Sequence, residues 1–308
     1  MVKSRVIPLV SKSIPKVGLF SSDPWSRRAK GLEEAFRNLG EEVIQVIPWK
    51  VSRWGTTDKH EIVQDGVDLS RLEVLLVLDI GANDIGTFFN RVGLLSALTE
   101  MGVRLVNSVS SILLMRNKAE TMRRLISAGL PVPKTLITES INDAASFVKV
   151  HFPCVLKPLV GFGGYGVQLI ERDFDLENIY DYLKFHSQMF GKGAYLLQEY
   201  IKSPGYDIRA LVLDGKVITT MRRVGGEGIT TNIHSGGVPQ KNTLDVTNLS
   251  IRAAKSVKGH IVGVDIIPDE EGNLWVLEAN ATPGWYGLQQ VTDFDISARI
   301  AQSLAETF

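Results

Sequence analysis

The chain has 308 residues, enough for two or three domains, and its apolar share of 44% is that of an ordinary globular protein. Its 34 basic and 34 acidic residues give a formal net charge of zero, which argues against nonspecific binding to nucleic acid or to an anionic membrane. The single Cys154 excludes an internal disulfide, and the absence of a membrane-length apolar stretch or a secretory signal pattern predicts a cytoplasmic location.

The first part of the chain alternates short apolar runs with amphipathic stretches of helical length. Strands are predicted at 17–20, 43–47, 74–78 and 103–106, and helices near 26–39 and 88–101. The polar stretch 49–68, interrupted by Gly55 and Gly66, is predicted to be a loop. Residues 1–112 are therefore expected to form a small α/β domain with a parallel sheet.

The second part of the chain contains signals for antiparallel strands. Helices are predicted near 117–128, 174–187, 245–257 and 295–306, and strands from about 134 and at 154–157, 166–171, 194–199, 207–213, 216–223, 263–266 and 277–280. Asp214-Gly215 between two of these strands is typical of a two-residue hairpin turn. We predict a chain of α/β and α+β class, with a central lobe at 113–200 and a C-terminal lobe at 201–308.

A glycine-rich stretch from Gly161 to Gly166 formally matches the G-x-G-x-x-G pattern of nicotinamide and flavin oxidoreductases. That fingerprint must open a helix, whereas residues 167–171 alternate like a strand, which disfavours an oxidoreductase. Strand, loop and strand instead predict a hairpin flap. Its backbone N–H groups, with Gly163 and Gly164 as candidates, can cover nucleotide phosphates, and a plain flexible hairpin turn is the alternative.

Two lysines are candidate phosphate ligands. Lys157 ends an apolar strand directly before the glycine loop, where an ammonium group can supply a point charge to a phosphate. Lys118 lies at the start of a predicted helix, where a merely solvated lysine is the alternative.

The ends of two further strands carry candidate contacts to a nucleoside. Glu199, Tyr200 and Ile201 close a strand, where backbone groups can read the edge of adenine while side chains pack on its faces. An ordinary strand end is equally compatible with these residues. Asp207 begins the next strand, where its carboxylate accepts hydrogen bonds either from ribose hydroxyls or from a basic side chain on the surface.

The strand pattern near the end of the chain suggests a metal site. Residues two apart on a strand share a face, so Glu278 and Asn280 are predicted to point to one side and Leu277 and Ala279 to the other. If the run that contains Asp265 pairs with this strand, three oxygen ligands converge at one sheet edge, as Mg²⁺ between protein and phosphates requires. Two strands with polar ends are the simpler alternative.

Taken together, these motifs resemble the ATP-grasp superfamily, with the nearest similarity to its RimK-like branch of carboxylate–amine ligases. The residues that carry the resemblance follow one another in order as Lys118, 155–158, 161–166, 198–201, 207–209, 263–266 and 278–284. They cover about residues 113–308, and the preceding α/β domain is similar to that family's pre-grasp domain.

The resemblance implies that ATP lies between two lobes and that Asp265, Glu278 and Asn280 bind two Mg²⁺ ions, with Mn²⁺ as a possible substitute. In the family, a substrate carboxylate attacks the γ-phosphorus to give an acyl phosphate, and an amine then displaces phosphate. Arg209 and either Arg222 or Arg223 would steady the anionic carboxylate or acyl phosphate. Adjacent residues of a strand face opposite sides, so the sequence does not say which of the last two enters the site.

One position departs from the family's pattern. Where RimK-like enzymes commonly carry Arg-Ser-Asn, this chain has Thr230-Thr231-Asn232, which retains Asn232 as a nucleotide-binding candidate but lacks the phosphate-facing arginine. Arg223 is the candidate replacement. His234 nearby is interpreted as a residue that stabilises the loop rather than as a catalytic base.

The leading hypothesis is an ATP-dependent ligase that adds an amino acid such as glutamate to a carboxylate of a small molecule or a protein tail, and that forms a homo-oligomer. The alternative is an ATP-binding regulatory protein of the same fold without ligase activity, which the intact metal set disfavours. Substrate contacts are expected from the first domain, where Ser21, Ser22, Asp23, Arg27 and Arg28 at a helix start are candidates to hold an anion, or simply cap the helix.

Overall fold

The computed structural model describes residues 15–57, 59–82, 84–161, 164–190, 193–225 and 236–307. The chain divides into two compact units, the first formed by Met1–Val109 with Asp295–Phe308 and the second by Ser110–Phe294. The division near 109 is close to the predicted boundary at 112. The final segment groups with the first unit, however, which differs from its predicted place in a C-terminal lobe at 201–308.

The described residues form strands of two to nine residues and α-helices of four to sixteen residues. The strands are β1 (Val17–Phe20), β2 (Val43–Val46), β3 (Ser52–Gly55), β4 (His60–Gln64), β5 (Val67–Asp68), β6 (Val74–Val77), β7 (Arg104–Val106), β8 (Thr135–Thr138), β9 (Cys154–Lys157), β10 (Gln168–Ile170), β11 (Tyr195–Glu199), β12 (Tyr206–Leu213), β13 (Lys216–Val224), β14 (Val238–Lys241), β15 (Ile261–Pro268) and β16 (Leu274–Asn280). The helices are α1 (Arg27–Asn38), α2 (Ile85–Glu100), α3 (Val109–Arg116), α4 (Lys118–Ser127), α5 (Ile141–Val150), α6 (Asp173–Glu177), α7 (Ile179–Phe190), α8 (Thr247–Ser256), α9 (Tyr286–Gln289) and α10 (Ile296–Ala305).

The first unit is built on a parallel sheet in the order β2-β1-β6-β7, which confirms the predicted fold class of this region. All four residues of β1 and of β6 are buried, as expected for strands covered on both faces. Helix α1 begins at Ser26, whose hydroxyl accepts from the backbone N–H of Ala29, and α10 packs against α1. The parallel sheet explains the continuous apolar runs in the sequence.

The predicted loop at 49–68 is wrong, because these residues form the antiparallel sheet β3-β4-β5. All four residues of β3 are exposed, so the strand carries no alternation of buried and exposed residues by which a sequence pattern reveals it. In β4 the buried residues are Ile62 and Gln64, and a polar residue at a buried position hides the pattern there too.

The second unit contains two antiparallel sheets, one in the order β10-β9-β11-β8 and one in the order β14-β13-β12-β15-β16. Helices α5 and α7 pack together beside the first sheet, where they enclose Cys154, and α8 packs on the second sheet. The sequence patterns did not predict α3, α5 or β14. Helix α5 buries Ala144, Ala145 and Val148, which lie at helical spacing on one face, so a helical signal was present although the interpretation of the sequence did not include it.

The hairpin turn at Asp214-Gly215 is confirmed. Leu213 pairs with Lys216, and φ is 46° at Asp214 and 75° at Gly215. Two consecutive residues with positive φ are the requirement of a type I′ turn, which is why Asp-Gly suits it. Among the helices that the structure describes, none has the length and apolar content to cross a membrane.

Candidate active site

A cleft of about 380 Å³ opens in the second unit, and residues of both antiparallel sheets line it. The sequence-predicted site residues on its wall are Lys118, Lys157, Gly164, Glu199, Tyr200, Ile201, Asp207, Arg209, Arg223, Asp265, Glu278 and Asn280. Arg222 is not on the wall, and Gly163 and Asn232 lie outside the described residues. Residues as far apart in sequence as Lys118 and Asn280 are therefore brought into one cavity.

Lys118 is the first residue of α4, which Asn117 caps by accepting from the N–H groups of Ala119 and Glu120. Its Nζ donates to the carbonyl of Gly161 at 3.2 Å and lies 3.8 Å from Oε2 of Glu278. The helix start thus places one ammonium group between the beginning of the glycine loop and the predicted metal edge.

Lys157 ends β9, and its Nζ donates to Oε1 of Gln198. Burial lowers the pKa of Lys157 to about 8, because removal from water disfavours the ammonium form, and the charge of Glu278 only partly opposes this effect. The Lys157 ammonium therefore loses its proton near pH 8, well below the range of an ordinary lysine.

Gln198 belongs to the motif at 198–201, but the sequence did not predict a role for its side chain in the site. It is buried in β11, and its Nε2 donates to Oγ1 of Thr135 at 3.0 Å while its Oε1 accepts from Lys157. The fixed amide orients the lysine toward the cleft. The available signal was a polar residue inside the apolar run 195–198, which is expensive to bury unless it has partners.

The glycine loop joins two antiparallel strands, since Gln168 of β10 lies opposite Leu156 of β9. It does not open a helix, so the dinucleotide fingerprint is excluded, as the alternating pattern predicted. The far end of the loop is held by His186, whose Nε2 contacts the carbonyl of Gly166 at 2.7 Å. The near end is held by Lys118, so the hairpin is fixed at both of its ends.

The wall near Glu199, Tyr200 and Ile201 combines backbone groups with apolar side chains. The N–H of Glu199 is already bound to the carbonyl of Lys134 at 2.9 Å. Val155, Met221, Leu277 and Ile267 also line the cavity. A flat aromatic base suits such a surface.

The predicted metal ligands lie on paired strands, because Asp265 of β15 is opposite Glu278 of β16 and Gly263 is opposite Asn280. The pairing shifts between Asp265 and Ile266, where a β-bulge interrupts the ladder. As a result Leu277 lines the cleft beside Glu278, whereas Ala279 is buried. The prediction that Leu277 faces away from Glu278 is therefore wrong, because strict alternation fails at a bulge.

Asp265 is buried and paired with two arginines. Arg209 donates from Nε to Oδ1 and from Nη2 to Oδ2 at 2.8 Å, and Arg223 approaches Oδ2 at 3.0 Å. Burial opposes ionisation of Asp265, but the two guanidinium groups outweigh it and hold the pKa of this carboxyl well below its usual range. The residue is a carboxylate at any physiological pH.

The donor set fits a hard divalent cation. Two carboxylates and one amide face one another across paired strands, and the amide Nδ2 of Asn280 donates to Oε1 of Glu278 at 2.9 Å. The described residues contain no cluster of three or more His, Cys, Asp or Glu. A set of three protein ligands at this place therefore includes the amide oxygen of Asn280. Oxygen ligands of this kind, completed by water and phosphate, are those of Mg²⁺.

Arg222 and Arg223 lie on opposite faces of β13. The guanidinium of Arg222 lies over the ring of Tyr206 at 5.2 Å and donates to Gln240, outside the cleft. Arg223 is buried and also donates to Asp207, from Nε to Oδ1 at 2.7 Å. Asp207, predicted to contact ribose, thus lines the cleft with both of its oxygens engaged by Arg223.

The candidate anion contacts of the first unit are joined to one another. The hydroxyls of Ser21 and Ser22 both donate to Asp79, and Arg28 donates to the carbonyl of Leu78 at 2.7 Å. These bonds connect the ends of β1 and β6. A substrate contact at this place stays a prediction.

Comparison with known proteins gives consistent results. A model of the RimK-like ATP-grasp domain matches residues 115–304. A probable alpha-L-glutamate ligase of Marinomonas sp. is 30% identical over 95% of this chain and 96% of its own length. The tetrahydromethanopterin:alpha-L-glutamate ligase of Methanocaldococcus jannaschii is 33% identical over 62% of this chain and 66% of that protein.

Solved structures show the same fold. The ATP-grasp ligase PsnB complexed with a minimal precursor superposes with a TM-score of 0.75 at 22% identity, covering 96% of this chain and 99% of that one. The D-cycloserine synthetase DcsG gives a TM-score of 0.73 at 17% identity, covering 94% and 99%.

Proposed function

This chain belongs to the RimK-like ATP-grasp family and is an ATP-dependent carboxylate–amine ligase, and we propose that it adds an amino acid, glutamate in the first instance, to a carboxylate through an acyl phosphate. The observation that supports the site is the convergence of two lysines, a glycine hairpin and three oxygen ligands on one cleft. That combination supplies the cations, backbone donors and metal ligands that bind a nucleoside triphosphate and its metal.

The chain's residues divide between holding the nucleotide and steadying the reacting groups. We assign to Lys118 and Lys157 the neutralisation of phosphate charge. The hairpin that begins at Gly161 would cover the phosphates. Glu199, Tyr200 and Ile201 form the base-binding wall. Positioning and charge neutralisation of this kind carry most of a phosphoryl transfer.

A substrate carboxylate attacks the γ-phosphorus of ATP, the bond from that phosphorus to the bridging oxygen breaks, and ADP leaves with the electron pair. Arg209 and Arg223 are the cations proposed to steady the attacking carboxylate and the acyl phosphate that results. Asp265, Glu278 and Asn280 would hold Mg²⁺, as two ions or with Mn²⁺ as a substitute. When bound, the metal neutralises charge on the β- and γ-phosphates. The amine of the amino acid then attacks the acyl carbon, phosphate leaves with the electron pair of the broken C–O bond, and the amine loses a proton.

Two kinds of carboxylate substrate are proposed, a small molecule or a protein tail. Support for glutamate as the amine comes from the relatives, which carry the name alpha-L-glutamate ligase in Marinomonas sp. and in Vibrio cholerae. The homo-oligomer and the cytoplasmic location expected from the sequence stay predictions.

The test is ADP release measured over a matrix of amino acids and candidate carboxylates, with mass spectrometry of the products. We expect release to require a matched pair and the product to gain the mass of the amino acid minus water. The variant Glu278→Gln should remove this release while its circular dichroism stays that of the wild type. Release that no pair stimulates would count against the proposal, and a product with another amino acid would replace glutamate.

A further inference from the structure

Both oxygens of Asp265 are engaged by guanidinium groups. Arg209 spans the carboxylate through Nε and Nη2, and Arg223 adds an Nη2 contact to Oδ2 at 3.0 Å. The carboxylate proposed to hold a divalent cation is therefore occupied by cationic side chains of the chain itself. A divalent ion that binds this carboxylate must compete with them.

The two arginines differ in their other counter-ions. Arg223 also forms a two-point pair with Asp207, from Nε at 2.7 Å and from Nη2. Its side chain is only 4% exposed and that of Asp207 8%. Because Asp207 balances its charge, Arg223 retains a buried carboxylate partner even when Asp265 is taken by another cation.

Arg209 has no second carboxylate of this kind in the described part of the chain, where its ion pair is with Asp265. Its side chain is 11% exposed and lies on the cleft wall. Gly263 makes space for it, since a Cβ there would lie 3.2 Å from Nη1 and 3.4 Å from Cδ of Arg209. The side chain thus occupies a position beside the cavity into which it can move.

A divalent cation on Asp265 would lie close to both guanidinium groups and repel them, and the repulsion is strong at short distance in a partly buried site. Arg223 remains neutralised by Asp207, whereas Arg209 loses its counter-ion. We propose that Asp207 is a positioning residue that keeps Arg223 in place, so that Arg209 is the guanidinium that leaves Asp265 when a divalent cation binds. This inference rests on the proposed function, which makes Asp265 a metal ligand.

The released Arg209 then presents its donors to the cleft, where an anionic substrate carboxylate can take the place of Asp265. Metal binding and substrate binding are coupled through one side chain.

The first experiment follows the Nε–H signals of ¹⁵N-arginine-labelled protein by NMR while Mg²⁺ and ADP are added. Arg209→Lys and Arg223→Lys assign the two signals. We expect the Arg209 signal to move and that of Arg223 to keep its position, with Arg222 on the same strand as the internal reference. In Asp207→Asn both signals should move, and Asp207→Glu should restore the wild-type behaviour.

The second experiment measures Mn²⁺ binding in the presence of ADP by electron paramagnetic resonance. Arg209→Met removes the competing cation and should tighten Mn²⁺ binding roughly ten-fold, the scale of one charge-assisted hydrogen bond. Arg222→Met removes the same charge from the neighbouring position of β13, outside the cleft, and should leave binding unchanged.

The outcomes separate this inference from the function on which it rests. An Arg209 signal that stays in place while Mg²⁺ and ADP bind, or weaker Mn²⁺ binding in Arg209→Met, overturns the inference and leaves the nucleotide function intact. Failure of the wild-type protein to bind Mg²⁺ with ADP overturns the metal assignment at Asp265, and the inference with it.

Discussion

At the scale of single residues, the surroundings of a side chain decide what its functional group can do. Lys157 illustrates this, because β9 and Gln198 hold its Nζ on the wall of a partly enclosed cleft. Its sequence position before a glycine loop predicted a phosphate ligand, whereas its lowered pKa results from burial and from the nearby charge of Lys118, which only the structure shows.

Replacement of Lys157 by alanine should weaken binding of a non-hydrolysable ATP analogue roughly ten-fold or more, because a charge-assisted hydrogen bond to phosphate is lost. Isothermal titration calorimetry measures this change. Lys216→Ala, which removes an exposed lysine from the hairpin that joins β12 and β13, is the matched control and should bind as the wild type does. Equal affinity of the two variants would remove Lys157 from the phosphate site.

The same lysine predicts a pH dependence. Its pKa of about 8 means that the ammonium form is lost as pH rises through 8. Since phosphate binds the charged form, the contribution of Lys157 to the affinity of the wild type for the ATP analogue should be present below about pH 8 and be lost as pH rises above it, and Lys157→Ala should lack this component. Identical pH profiles in the two proteins would contradict the assignment.

Cys154 is the chain's only thiol, and burial raises its pKa to about 12. Because the thiolate is the reactive form, iodoacetamide at pH 8 should leave the native protein unmodified and alkylate it fully in guanidinium chloride, as mass spectrometry can show. Equal rates of modification in the two conditions would place this thiol outside the core.

At the scale of elements, the hairpin of β9 and β10 depends on a backbone that most side chains would not allow. Gly166 has a φ of 77°, and a Cβ there would lie 2.8 Å from Cδ1 of Phe190. The strands themselves are visible in the sequence as an apolar run and an alternating run, but the contacts with α7 come from His186 and Phe190, which lie further along the chain.

Gly166→Ala should therefore destabilise the hairpin by about 1–2 kcal/mol from backbone strain alone, with an additional steric cost against Phe190. We expect a lower thermal midpoint and weaker binding of the ATP analogue. Gly55→Ala is the control, because a methyl group on that exposed strand meets no atom within 4 Å. A Gly166→Ala protein as stable as the control would contradict the strained geometry.

At the scale of the whole molecule, the end of the chain belongs to the unit that contains its beginning. Ile296, Ile300 and Leu304 of α10 are fully buried, and the helix packs on α1. Burial of each such side chain stabilises the folded state by roughly 1.5–3 kcal/mol. This is a large part of the free energy of unfolding of a typical domain, which is about 5–15 kcal/mol. The first unit is therefore expected to depend on α10.

Deletion of residues 295–308 should unfold the first unit while the second keeps its structure. Hydrogen exchange read by mass spectrometry should show loss of protection in peptides of β1 and α1 and retained protection in those of β12 and β15. Gln302→Ala, which changes only an exposed residue of α10, should leave both units protected. Loss of protection confined to the second unit would reverse the assignment.

The sequence by itself determined the features that depend on neighbours along the chain. It predicted most strands and helices, the Asp214-Gly215 turn, the strand after the glycine loop and the order of motifs that identified the family, because periodicity and turn chemistry are local. It missed β3, whose exposed residues give no alternation, and it also missed α5 although that helix buries one face.

Only the tertiary structure decided which side chains meet. The β-bulge brought Leu277 into the cleft. Of the two adjacent arginines of β13, Arg223 lies on the face that lines the cleft and Arg222 does not. The pairing of β12 with β15 placed Arg209 opposite Asp265. The contact of α10 with α1 joined the last helix to the first unit. These outcomes depend on strand register and on packing between residues far apart in sequence, which no local pattern encodes.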